Sequence, residues 1–67
     1  MQINPAIFSI LKQHHMTLTP DDISKLIDLL RARDKVGAIT LIRQENHAGL
    51  KEAKDVADAI QQIILAE

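Results

Sequence analysis

Cysteine is absent from this sequence, and aromatic side chains nearly so: there is no Trp, no Tyr and a single Phe, Phe8. Without thiols, neither a disulfide framework nor a thiolate metal site can supplement the core, a usage that fits a reducing cytosol. Without ring faces, the chain cannot stack nucleobases as single-strand binders do. The core must therefore be aliphatic. A dominant charge is missing as well. Eight Lys and Arg against nine Asp and Glu leave a formal net charge of -1, with a pI near 6.3, so no global basic field draws the chain to DNA or anionic lipid. Apolar runs fall far short of the roughly 20 residues that span a bilayer. The N-terminus shows neither the basic segment nor the apolar run of a secretory signal. The expectation is a soluble, cytoplasmic protein with no membrane partner.

What is present is helical periodicity from end to end. A chain of 67 residues reads as one domain, residues 1–67, and at this size it buries only about 60% of the surface its unfolded form exposes. Stability is then modest or supplemented by association. Asn4-Pro5 opens a first helix, 5–14, because Asn caps free amides and Pro has none to lose at the first position. Ala6, Ile7, Phe8, Ile10 and Leu11 spread over a broad apolar face, and so wide a face makes a homodimer one reading. Thr19-Pro20-Asp21-Asp22 opens a second helix, 20–33, with two carboxylates at the positive end of the dipole and Leu18 placed to close over Ile23. Ile23, Leu26, Ile27, Leu29 and Leu30 form its core face. Arg31 and Arg33 suit its C-terminal end.

Asp34 is placed to cap a third helix, 35–46, whose apolar residues lie on two faces: Ala38, Leu41 and Ile42 on one, Val36 and Ile39 on the other beside Thr40 and Arg43. One face suffices for a core. His47-Ala48-Gly49 forms a glycine-marked turn, and a fourth helix, 50–65, carries Leu50, Ala53, Val56, Ala57, Ile60, Ile63 and Ile64 in a continuous stripe. Ala53 and Ala57 are small enough for close helix approach. The fold class is all-α: a small four-helix domain in which a helix pair, 1–33, covers a helical hairpin, 34–67.

The ungapped stretch from Asp34 to Asp58, above all Gly49-Leu50-Lys51-Glu52-Ala53-Lys54-Asp55 with Lys35-Val36, Ile39 and Arg43 before it, closely resembles the helical hairpin in the C-terminal domain of the bacterial ribosomal stalk protein. That large-subunit component recruits translation factors. The resemblance implies a protein-binding surface for translational GTPases made of Lys35, Val36, Ile39, Arg43, Gly49, Leu50, Lys51 and Lys54. Thr40 stands where the family usually carries a further lysine. The family domain flanks this hairpin with strands, whereas here two helices precede it. Independently of the family, Val36, Ile39 and Arg43 share one helical face, and an apolar patch rimmed by Lys and Arg suits an acidic, amphipathic partner. The competing reading is that Val36 and Ile39 belong to the core.

Other chemistry finds little footing. His14 and His15 diverge by about 100° on a helix and do not chelate one ion together, so no metal is expected, and His47 reads as a loop residue. Ser9 and Ser24 lie within helical patterns without a glycine-rich elbow, and no phosphate-cradling loop appears, so neither an enzyme nor a cofactor is expected. Lys51 with Asp55 and Lys54 with Asp58 are spaced for pairs along one helix. Two alternatives to the docking module remain. One is a self-associating structural domain whose first and fourth helices bury each other across a two-fold axis. The other is a helix-turn-helix placing the fourth helix on DNA, for which Arg31, Arg33 and Lys35 form a basic cluster, although Asp55 and Asp58 would meet phosphates.

Overall fold

A computed structural model describes residues 3–66; Met1, Gln2 and Glu67, the ends of the expected domain, lie outside the described residues. It contains four α-helices: α1 Pro5–Gln13, α2 Pro20–Arg31, α3 Lys35–Asn46 and α4 Leu50–Ala66. Each start has an identifiable cause. Asn4 Oδ1 accepts from the Ala6 amide at 2.9 Å, and Thr19 Oγ1 accepts from the Asp22 amide at 3.1 Å. Leu18 and Ile23, flanking the Thr19 cap, both join the core, the arrangement of a hydrophobic staple. Asp34 Oδ1 accepts from the Gly37 amide at 2.9 Å. A Cβ on Gly37 would come within 2.5 Å of the Asp34 carboxylate, so any larger residue there would displace the capping side chain.

The helix ends differ from the sequence-based expectation. α1 stops at Gln13 and α2 at Arg31, two residues short of Arg33. In each case a non-glycine residue two positions on turns left-handed: His15 at φ 54° and Arg33 at φ 62°. Around them the Met16 amide donates to Leu11 O (2.8 Å) and the His15 amide to Lys12 O (3.1 Å), while the Asp34 amide donates to Leu29 O (2.8 Å) and the Arg33 amide to Leu30 O (3.1 Å). Both are Schellman closures, which satisfy otherwise orphaned carbonyls. Buried Met16 and Leu11 supply the apolar contact that accompanies the first.

The third turn spans His47, Ala48 and Gly49 as expected. Its left-handed residue is His47, at φ 52°, and no glycine has positive φ. Gly49 instead occupies the position before α4, where its carbonyl accepts from the Ala53 amide at 3.0 Å. α4 then runs for 17 residues, one beyond the expected end at 65.

α4 is the helix around which the rest pack: its backbone runs close to those of α1, α2 and α3, α2 also runs close to α3, and no other helix backbone comes as near to α1. Ala53, Val56, Ala57 and Ile60 are all completely buried, as are Ala38 and Ile42 of α3 and Ile23 and Leu26 of α2. Small Ala53 and Ala57 let neighbouring backbones come close. The core is aliphatic apart from Met16, and no polar side chain is buried among the described residues. Phe8 is 48% exposed, so α1 buries a narrower stripe than expected, centred on Ile7 and Leu11. The loop after α1 is tied across the fold: the Thr17 amide donates to Asn46 Oδ1 at 2.8 Å.

A left-handed non-glycine residue costs about 1 kcal/mol. His15→Gly and His47→Gly are each expected to raise stability by about that amount, a rise in Tm of roughly 4–8 °C for a domain of this size, measurable by calorimetry. Gly37→Ala is expected to gain nothing by the same measurement. The roughly 1 kcal/mol of helix propensity it adds is offset by displacement of a cap worth about 1 kcal/mol.

Candidate functional site

The residues singled out on α3 do not share one environment. Val36 stands 76% exposed in the first turn of α3. Ile39, three residues on, is half-buried and packs against the core. The alternatives of docking face and core thus divide the pair: Val36 is surface, and Ile39 is the shoulder where surface meets core. Thr40 and Arg43 continue the exposed line at positions four and seven from Val36, one face of a helix.

Thr40 donates its hydroxyl to Val36 O at 2.8 Å, so the group is spent on its own helix. Arg43 bends towards the end of α3, its Nε 3.4 Å from Ala48 O. Together with Gln44 and His47, these residues line a shallow depression beside the turn.

On α4, Leu50 is 58% exposed rather than part of the core stripe. Leu50, Lys54 and Asp58 are four residues apart and therefore follow one edge of the helix. That edge faces α3, because Asp58 Oδ1 is engaged by Lys35 Nζ. The pairing corrects the expected Lys54–Asp58 couple: the carboxylate is held across the hairpin by α3. With 36% and 42% of the two side chains accessible, such a pair contributes only about 0–1 kcal/mol. Its greater effect is on charge, since Lys35 is the one cation of the expected set whose field is largely cancelled.

The resulting surface is a seam. It runs along α3 from exposed Val36, beside the Lys35–Asp58 pair, to exposed Arg43 near the turn, where exposed Leu50 and Lys54 begin α4. Lys51 lies about 100° round from Leu50 and Gly49 lies at the turn, both exposed. No family model matches this chain, and no characterised protein or solved structure is significantly similar to it. The site therefore rests on its own geometry.

Two features escaped the sequence reading. Asp58 has a lysine four residues before it, which hides its cross-helix partner, and nothing in the order of residues shows that Leu65 comes close to Arg33. Elsewhere, no three His, Asp or Glu side chains converge among the described residues in a way that could hold a metal ion. His14 and His15 form the closing turn of α1. No helix is long and apolar enough to cross a membrane.

Val36→Asp is expected to leave helicity intact and change stability by less than about 0.5 kcal/mol, since the new carboxylate meets solvent and the positive end of α3. Ile42→Asp, which puts a charge where nothing is accessible, should abolish the cooperative thermal transition. Circular dichroism melts of the two variants check the contrast.

Proposed function

We propose that this chain is a non-catalytic protein-docking module whose binding surface is the α3–α4 seam. The observation that carries this reading is the exposure of Val36 at 76% and Leu50 at 58%. Two aliphatic side chains stand in solvent on the hairpin that also carries the exposed cations Arg43, Lys51 and Lys54. Desolvating the aliphatic groups supplies affinity, while the cations orient an acidic partner surface and speed encounter.

The partner class proposed is the translational GTPases, as the resemblance of residues 34–58 to the ribosomal stalk hairpin implies. Thr40 in place of a lysine and the neutralised Lys35 leave three cations on or beside the seam, so a weaker, more salt-tolerant contact is the form of binding to look for. The half-exposed Phe8 favours a second reading, self-association through α1.

Titration of the isotopically labelled chain with a bacterial elongation factor, followed by NMR, is expected to shift Val36, Ile39, Arg43, Leu50 and Lys54. Val36→Asp should weaken the interaction about tenfold or more. Silence across the seam would remove the translational partner. A sedimentation coefficient that rises with concentration, with changes centred on Phe8, would move the assignment to self-association.

A further inference from the structure

At the other end of the hairpin from the His47 turn, the C-terminal ends of α2 and α4 enclose a second surface. Leu30, Ile64 and Leu65 provide apolar walls, and Arg31, Arg33 and Lys35 provide a rim of three cations. No carboxylate lines it among the described residues. In a chain whose net charge is -1, three basic side chains thus line one groove.

The three cations are not equivalent. Arg31 has an interaction within the fold, and Lys35 is held by Asp58. Arg33 has no side-chain partner among the described residues. It projects from a left-handed turn at φ 62°, a position where glycine is the usual occupant. Beside it, Leu65 is 74% exposed while Leu30 is buried at 3%, so the groove runs from a fixed apolar floor to an accessible lip.

We propose that this corner groove is a second docking site, distinct from the Val36–Leu50 seam, for an acidic amphipathic peptide segment. An aliphatic side chain of the segment sits against Ile64 and Leu65, and its carboxylates meet Arg33 and the rim beside it. Charge complementarity selects an anionic occupant. The lack of any aromatic platform disfavours single-stranded nucleic acid, and the apolar walls favour a peptide over a duplex, whose phosphates have nothing to set against Ile64 and Leu65.

The test uses the full chain and three probes: a synthetic acidic helix built from Glu, Leu and Ala, the same peptide with every Glu replaced by Lys, and a DNA duplex. The acidic peptide is expected to give saturable NMR shifts at Arg33, Lys35, Ile64 and Leu65 that weaken with added salt, with no comparable effect from the other two. Arg33→Gly is the informative variant, because it relieves the left-handed turn while removing the cation. It should raise Tm yet weaken the acidic peptide about fivefold, so lost binding cannot be lost folding. Leu65→Ser should weaken it similarly. Unchanged affinity in both variants would overturn the proposal, as would equal binding of the Lys peptide, shifts confined to the Val36–Arg43 face, or DNA binding at these residues in place of the peptide.

Discussion

The packing of α4 against all three other helices is the contact on which the rest of this fold depends. Its buried stripe of Ala53, Val56, Ala57 and Ile60 is narrow and partly small-sided, which allows several neighbours to approach one helix. The backbone of α1 comes close only to that of α4, so the first helix is held chiefly by that stripe and by the Thr17–Asn46 hydrogen bond after it. A domain with so little interior has no redundancy: the same few aliphatic side chains hold every element. What remains outside this core is correspondingly informative, because a chain short of buried surface nonetheless leaves Val36, Leu50, Leu65 and half of Phe8 in solvent.

Both proposed surfaces follow from the way α3 is used. One side of that helix is fully committed through Ala38 and Ile42, and the other is exposed at Val36, Thr40 and Arg43 with Ile39 half-covered between them. The Lys35–Asp58 pair lies between the seam and the corner groove. By neutralising one lysine it separates two cations that are exposed on either side of it, Arg43 and Arg33. Partners that read charge would meet two patches rather than one continuous field.

Much of the architecture is legible in the residues. Asn4-Pro5, Thr19-Pro20 and Asp34 are cap signals that act within a few residues of themselves, so local chemistry suffices to read them. The aliphatic character of the core follows from composition. The helix ends were less legible, because His15, Arg33 and His47 carry no signal for a left-handed conformation. Glycine would have marked it, and the glycine in the third turn, Gly49, is not the residue with positive φ. The candidate site was legible as a set of residues but not as a surface. Helical spacing places Val36 and Ile39 near each other, yet only the neighbouring helices decide that one is in solvent and the other half-covered.

The sequence by itself determined the helical class, the position of each helix start and the predominantly aliphatic interior, since these depend on periodicity, caps and composition over short stretches. Only the tertiary structure decided that Asp58 answers Lys35 instead of Lys54, that Leu50 leaves the core, and that Leu65 comes to rest beside Arg33. Those outcomes depend on which helix edges meet, and that is set by the packing of distant residues around α4.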